Sequence, residues 1–152
     1  SEGNLATCIY DHPVTRRLPH AGYCDWDFHR MIEKGHAMNL DTIASDAGVM
    51  LPEIVEIVSS YKNVRRQAGL AEFNVGQGRL MVCTLNLSPD DPAAVHLVRS
   101  CIDYLQSPSL ESAVDVPADA LRHWIRQGEQ RLKLAATDQG FDERANFHRP
   151  PA

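Results

Sequence analysis

The stretch from Gln67 to Leu105 decides the fold. It reads QAGLAEFNV over 67–75, GQG over 76–78, RLMVCTLNL over 79–87 and SPDDP over 88–92, followed by a run with helical spacing. This order predicts a strand, a tight glycine turn, a second strand to Leu87 and a capped helix. The apolar run from Leu80 to Leu85 is typical of a strand covered on both faces. Gly76 and Gly78 supply the positive φ angles that a short hairpin loop needs.

The helix after the hairpin has a clear start and one apolar stripe. Asp91 is the predicted N-cap, and Pro92 occupies the first helical position, where its missing N–H costs nothing. The spacing predicts that one face is buried. The residues of that stripe are Ala94, Leu97, Val98, Cys101, Ile102 and Leu105.

The N-terminal half alternates strands and helices. Leu5–Tyr10 and Ile54–Val58 are predicted strands, and His36–Leu40 is a short one. Asp25 can cap a helix over Trp26–Lys34. The buried stripe of that helix is Phe28, Met31 and Ile32, and Gly35 would stop it.

The remaining segments are assigned by weaker patterns. Thr42–Met50 is ambiguous, and Ser59–Arg66 is polar and basic, which predicts a solvated turn. Pro117 starts a helix that runs to about Leu134, and the chain beyond Thr137 is expected to be an irregular tail. The predicted organisation is therefore an α/β domain over residues 1–107 and an extra helix with a tail over 108–152.

Composition narrows the function classes. A chain of 152 residues with a net charge of -5 is one domain of ordinary globular composition. The acidic balance disfavours nucleic acid and anionic membrane as partners. No apolar run reaches the ~18 residues of a membrane span. The N-terminus is not an intact signal peptide, and its abrupt entry into a strand suggests a fragment. No cofactor motif is present, so no cofactor is predicted.

Residue types that can bind metal cluster near the N-terminus, but their spacing does not match a known metal-binding motif. His12, His20, Cys24 and His29 follow the pattern H-x7-H-x3-C-x4-H, which matches no compact zinc motif. The preferred interpretation is structural, with His12 in a turn and His29 on a helix surface. A metal-dependent hydrolase built on these residues remains an alternative.

Carboxylates offer no paired catalytic set. Glu53 and Glu56 should point to opposite faces of their strand. Glu72 lies in the middle of a strand, where an ion pair is favoured over a role as catalytic acid. Its candidate partners are Lys62, Arg65, Arg66 and Arg79. No G-x-S-x-G or G-x-C-x-G nucleophile motif occurs, so no catalytic residue is predicted.

Aromatic residues near the first helix suggest a binding surface. Tyr23 and Trp26, with Tyr10 and Phe28 nearby in sequence, could stack on a sugar. Asp25 and Asp27 would then bind its hydroxyls. The alternative is that Trp26 is a core or interface anchor, which is the more common role of a tryptophan beside a helix N-cap.

Several short motifs resemble one family when they are taken in order. They are Asp11-His12-Pro13, Leu18-Pro19-His20, Asp25-Trp26, Leu40-Asp41, Leu51-Pro52, Gly69-Leu70-Ala71-Glu72, Val75 to Cys83, Asp91-Pro92-Ala93-Ala94 and Asp103-Tyr104-Leu105. Together they resemble the C-terminal portion of bacterial family 2, β-galactosidase-like glycoside hydrolases. The resemblance covers roughly Leu5 to Ser107. The spacing of Ile54–Arg66 departs from it, and the Pro117–Leu134 helix has no counterpart.

The resemblance implies a fold and a setting for this chain. The fold would be a three-layer flavodoxin-like or class I amidotransferase-like α/β domain, with a mixed sheet, a C-terminal β-hairpin and an N-terminus that is incomplete. The amidotransferase nucleophile is absent, and the catalytic residues of such glycosidases lie on a barrel that this chain lacks. The expected role is a non-catalytic accessory domain, periplasmic or secreted. Its expected partners are other domains of the parent enzyme, a second copy of the chain or a carbohydrate.

Overall fold

A computed structural model describes residues 6–58, 65–107 and 113–146. The described chain forms five strands and four helices in an α/β arrangement. The elements are β1 Ala6–Ile9, α1 Trp26–Glu33, β2 Met38–Asn39, α2 Asp41–Ala47, β3 Glu53–Val58, β4 Gln67–Val75, β5 Gly78–Cys83, α3 Pro92–Gln106 and α4 Ala118–Asn146. No helix among the described residues has the length and apolarity needed to cross a membrane.

The strands form one open antiparallel sheet around β4. β3 lies between β1 and β4, and all four strand pairings are antiparallel. Two strands pair with the edge of β4 that faces away from β3. β5 pairs with Leu70–Val75, and β2 pairs with Gln67 and Ala68. The predicted mixed sheet is therefore wrong for the described strands. The flavodoxin-like or amidotransferase-like layering is not confirmed, since those folds are built on mainly parallel strands.

The predicted hairpin is confirmed. Val75 pairs with Gly78, so Gly76 and Gln77 form a two-residue turn. Gly76 has a φ of 61°, which a side chain would disfavour, whereas Gly78 does not have the positive φ that the sequence predicted. β5 ends at Cys83 rather than Leu87. The N–H of Thr84 still donates to the Gly69 carbonyl, but the Thr84 carbonyl accepts from His36 instead of from β4.

Two hydrophobic clusters cover the two faces of the sheet. The first receives side chains of α1 and α3, and the second those of α2 and the start of α4. Successive residues of β5 enter different clusters: Met81 joins the first and Val82 the second. The prediction that this strand is covered on both faces is confirmed, although β5 itself is only half-buried. The central strand β4 is buried over Ala68–Phe73, and its end residues are partly buried.

The caps predicted for α1 and α3 are confirmed. Asp25 accepts a hydrogen bond from the backbone N–H of Trp26 at 2.7 Å, and Asp91 accepts one from Ala93 at 3.1 Å. Gly35 follows α1 as predicted, but its role is close packing. A Cβ there would lie only 2.7 Å from the carbonyl oxygen of Met31.

Three other predictions are corrected. The stretch 42–50, which the sequence left ambiguous, lies largely in α2. The helix α4 continues past its predicted end near Leu134 to Asn146, so the predicted irregular tail is wrong up to Asn146. The buried face of α3 is rotated: Ile102 and Leu105 are exposed, while Tyr104 is buried. Most of the turn predicted over 59–66, together with Leu5, lies outside the described residues.

Candidate functional site

The predicted sugar-binding residues lie at the start of α1. Trp26 is 86% exposed and Tyr23 is 57% exposed. The Trp26 ring is tilted against the ring of His29, with centroids 6.3 Å apart. One carboxylate oxygen of Asp25 is occupied by the helix cap, and Asp27 is half-buried. We call Tyr23 and Trp26 the aromatic surface; whether it binds sugar stays a prediction.

The weak metal candidates lie in different environments. The ring of His20 accepts a hydrogen bond from the backbone of Gly22, and Cys24 is half-buried. His29 pairs with Glu33 on the exposed side of α1, with 3.9 Å between Nδ1 and Oε2. Across the described parts of the chain, no three His, Cys, Asp or Glu side chains are grouped to hold a metal ion.

His12 instead joins a buried cluster centred on Glu72. The loop after β1 holds His12 in place, because the backbone N–H of His12 donates to the Thr15 hydroxyl at 3.1 Å. Its Nδ1 accepts from the backbone N–H of Val14 at 3.3 Å. That contact leaves the proton on Nε2, which lies 3.0 Å from Glu72 Oε2 and donates to it. Both ring nitrogens of His12 are therefore engaged within the protein.

Arg79 and Tyr104 complete this group. Arg79 Nη1 donates to Glu72 Oε1 at 2.9 Å and to the Tyr104 hydroxyl at 2.9 Å. That hydroxyl in turn donates to Glu72 Oε2 at 3.2 Å. The ring of Tyr104 packs edge-on against His12, with 4.9 Å between centroids. We call these four residues the Glu72 cluster; it joins the loop after β1 to β4, β5 and α3.

The electrostatics of the cluster favour the ionised carboxylate. Burial alone would raise the pKa of Glu72. The hydrogen bonds from His12 and Arg79, together with the positive charge of Arg79, outweigh that effect and hold the pKa of Glu72 below its usual value. Because the carboxylate is saturated with donors and its pKa is lowered, it is suited to holding the elements together rather than to moving a proton.

The hairpin register explains how the sequence brings Glu72 and Arg79 together. Asn74 lies directly opposite Arg79, and Glu72 is two residues from Asn74 on the same face. The ion pair that the sequence predicted for Glu72 is confirmed, with Arg79 as the partner among the four candidates. His12 and Tyr104 were not predicted to join it. Tyr104 could have been found because it is seven residues, almost two full turns, after Leu97.

A cavity of about 340 Å³ adjoins the cluster. Its polar lining residues are Asp11, His12, Glu53 and Glu72. Tyr10, Pro52, Ile54 and Ala113 also line it. We call this space the Glu53 cavity.

Glu53 is the second buried carboxylate that lines this cavity. Its side chain is 7% exposed, and its Oε2 receives Arg66 Nη2 at 2.6 Å. Its Oε1 is buried and has no hydrogen-bond donor from the described protein. Glu56 does not line the cavity; it accepts a hydrogen bond from the Tyr10 hydroxyl, which raises the pKa of Tyr10 to about 12.

The comparison with known families follows this geometry. Residues 2–126 match the family described as Domain of unknown function (DUF8487). The chain belongs to that family. The DUF8487 match contains the aromatic surface, the whole Glu72 cluster, the residues that line the Glu53 cavity and the first part of α4. No curated protein matches the sequence.

Proposed function

We propose that the chain is a non-catalytic accessory domain of a multidomain glycoside hydrolase, and that its aromatic surface packs against another domain of that enzyme. The observation that carries the proposal is the exposure of Trp26, whose side chain is 86% accessible. Burying a large indole is among the strongest contributions a single residue makes to an interface. An exposed tryptophan beside an ordered helix start is therefore well placed as an anchor.

The local structure supports this role because α1 does not need Trp26 for its own packing. Phe28, Met31 and Ile32 form the buried stripe of the helix. Trp26 is two residues before Phe28, which places it on roughly the opposite side, at about 200° of helical rotation. The indole is thus held by a capped and anchored helix while its faces remain accessible.

The sequence resemblance supplies the setting, and the ion pairs support the absence of a catalytic role. Asp25-Trp26 is one of the motifs by which the sequence resembles the β-galactosidase-like glycoside hydrolases. Two of the buried carboxylates among the described residues, Glu53 and Glu72, are each paired with an arginine. The Glu72 pair joins β4 to β5, and the Glu53 pair joins β3 to the residue just before β4, which is a structural use of charge.

Hydroxyl-radical footprinting would test the interface. Trp26 oxidation is measured by mass spectrometry in this chain alone and in the full polypeptide that its reading frame encodes. We expect Trp26 to be oxidised several times more slowly in the full polypeptide. Met50, which is 74% exposed, is the internal control and should change little. Equal oxidation of Trp26 in both, or a reading frame without a glycosidase barrel, would contradict the proposal.

A second candidate is a carbohydrate-binding module centred on Tyr23, Asp25, Trp26 and Asp27. The same exposure favours it, because accessible aromatic faces stack on sugar rings and nearby carboxylates can accept from hydroxyls. Titrating tryptophan fluorescence with galactosides and plant oligosaccharides, in a Trp124→Phe background, reports Trp26 alone. A saturable change that Trp26→Ala abolishes would support sugar binding. No change with any of these sugars would contradict it.

A further inference from the structure

The strand β5 lies at one edge of the sheet, and the hairpin register shows which of its backbone groups face outward. In an antiparallel pair, opposite residues alternate between exchanging both backbone hydrogen bonds and exchanging none. The N–H of Thr84 donates to the Gly69 carbonyl at 2.9 Å, which marks one bonded position. Asn74, opposite Arg79, instead gives its backbone N–H and carbonyl to the segment before α4, which marks an unbonded one. The two observations fix the same alternation.

Alternate residues of β5 therefore face the outside of the sheet. Leu80 and Val82 bond to β4, as this alternation requires. The residues whose N–H and C=O groups point away from β4 are Arg79, Met81 and Cys83. Among the described residues, no backbone hydrogen bond to these outward groups is present. Such a row of donors and acceptors is the surface to which another strand adds.

The breaks in the described chain adjoin the opposite side of the sheet. Ser107 lines a cavity with Pro13, and Ala113 lines the Glu53 cavity with Tyr10, so both ends of that break lie beside the loop after β1. At the other internal break, Val58 pairs with β1 itself. β1 is the strand farthest from β5 in the order of the sheet. These flanking residues therefore lie away from the outer edge of β5.

The composition of β5 does not block strand addition. Exposed edges are commonly protected by lysine, proline, a bulge or a charge that pairing would bury. The β5 sequence contains neither lysine nor proline, and its register with β4 runs without a shift. Its one charged side chain, Arg79, is 14% exposed and already paired with Glu72. An added strand would therefore bury no unpaired charge from β5.

The same strand from a second copy is a complementary occupant. The chain carries a net charge of -5, so two copies repel over much of their surfaces, whereas β5 contributes no acidic residue. Antiparallel pairing centred on Met81 places Leu80 opposite Val82 of the other copy. It also places Arg79 opposite Cys83, which keeps the two arginines apart, since like charges directly opposite each other destabilise a pair. Every outward backbone group of the strand is used in this register.

We infer that two copies of this chain associate through β5, antiparallel about Met81, so that the two sheets become one continuous sheet. The pairing has two-fold symmetry, which is the commonest symmetry of protein dimers. The β5 edge is separate from the aromatic surface, so the inference stands whether or not Trp26 contacts another domain.

The unmodified chain is tested first, by sedimentation velocity and NMR-detected amide hydrogen exchange over a hundredfold range of protein concentration. We expect the dimer fraction to rise with concentration. Exchange at the outward amides of Arg79, Met81 and Cys83 should become at least tenfold slower as the dimer forms. The amides of Leu80 and Val82 bond to β4 in either state, so they are the internal control and should slow by much less.

The register is tested in a mixture of isotopically labelled and unlabelled copies. Leu80 of one copy and Val82 of the other would face each other without exchanging backbone bonds, where opposite Cα atoms are about 4.5 Å apart. We therefore expect an intermolecular nuclear Overhauser effect between the α-protons of Leu80 and Val82. Intermolecular contacts confined to α1 would instead assign the association to the aromatic surface and overturn the inference.

Two variants at one position separate the outward N–H from the side chain. Met81→Pro removes an N–H that points away from β4, a position where an edge strand tolerates proline. It should be monomeric at every concentration. Met81→Ala is the matched control, because it shortens the same side chain and keeps the N–H; its dimer affinity should stay within tenfold of the original. Circular dichroism checks that both fold, and the exchange and register experiments on the unmodified chain decide if Met81→Pro does not.

Three further results would overturn the inference. One is a chain that stays monomeric at every concentration, which would leave the edge to a strand from another protein. Another is a dimer whose outward β5 amides exchange as fast as those of the monomer. The last is a folded Met81→Pro variant that dimerises as tightly as Met81→Ala.

Discussion

Glu53 and Glu72 lie on adjacent strands, are both buried and both pair with an arginine, yet their surroundings differ. Glu72 receives donors from three other segments of the chain, and both of its oxygens are occupied. Glu53 has a donor on one oxygen and none from the described residues on the other. The comparison teaches that an arginine partner alone does not define a carboxylate's role. The number of segments that supply donors distinguishes a carboxylate that joins several elements from one that is paired with a single side chain among the described residues.

Removing the arginine of each pair should give the largest difference. Arg79→Ala leaves Glu72 buried without its guanidinium, so we expect the free energy of unfolding to fall by about 3–5 kcal/mol. Arg66 is 34% exposed, and water can replace part of its contact, so Arg66→Ala should cost about 1–2 kcal/mol. Urea unfolding followed by circular dichroism measures both. Equal losses would show that the two pairs are energetically alike.

Acidification should affect the Glu72 cluster in a defined pH window. The folded pKa of Glu72 is below its unfolded value, so the ionised carboxylate contributes stability that is present above about pH 4.3 and is lost as pH falls through the folded pKa. Glu72→Gln should cost about 2 kcal/mol at neutral pH. Its deficit relative to the original chain should shrink as the pH falls below that window. Urea unfolding across pH provides the measurement, and a constant deficit would contradict the linkage.

Removing one hydroxyl tests the contribution of α3 to the cluster. Tyr104→Phe deletes a donor to Glu72 and an acceptor for Arg79, and we expect a loss of about 1 kcal/mol. Tyr10→Phe is the matched control, because its hydroxyl contacts Glu56 at the surface; it should stay within about 0.5 kcal/mol. The midpoint of urea unfolding distinguishes the two. A larger loss of stability in Tyr10→Phe than in Tyr104→Phe would show that burial does not strengthen the contacts of the Glu72 cluster.

The smallest change is expected at Glu53 itself. Glu53→Gln keeps an oxygen for Arg66 and changes only the charge and the unused position, so the loss should be below about 1 kcal/mol. Its stability is measured in the same urea series, in the absence of any ligand. A loss comparable with that of Arg79→Ala would mean that Glu53 is a structural link like Glu72.

Much of the fold was predictable because its signals are local. Asp25 and Asp91 cap helices through bonds to residues one or two positions away. Gly76 permits the hairpin turn through its own φ angle. The face of α3 was mispredicted for a physical reason: its buried side includes Ser100 and Tyr104, and a pattern that counts only apolar residues centres the stripe too far toward Leu105.

The contacts of the candidate sites also divide into those that are local in sequence and those between distant segments. The Glu72–Arg79 pair follows from hairpin register, which the turn sets over a few residues. His12 and Tyr104 lie 60 and 32 residues from Glu72. The spacing from Leu97 places Tyr104 on the buried face of α3, but the local sequence of neither residue shows that it contacts Glu72.

By itself, the sequence determined the hairpin turn, the helix caps and most of the strands, since each depends on interactions within one element or between two adjacent ones. Only the tertiary structure decided the antiparallel order of the sheet, the buried face of α3, which of the four candidate cations pairs with Glu72 and the full set of donors around that carboxylate. These depend on contacts between segments far apart in the chain, whose geometry is set by how the whole core packs.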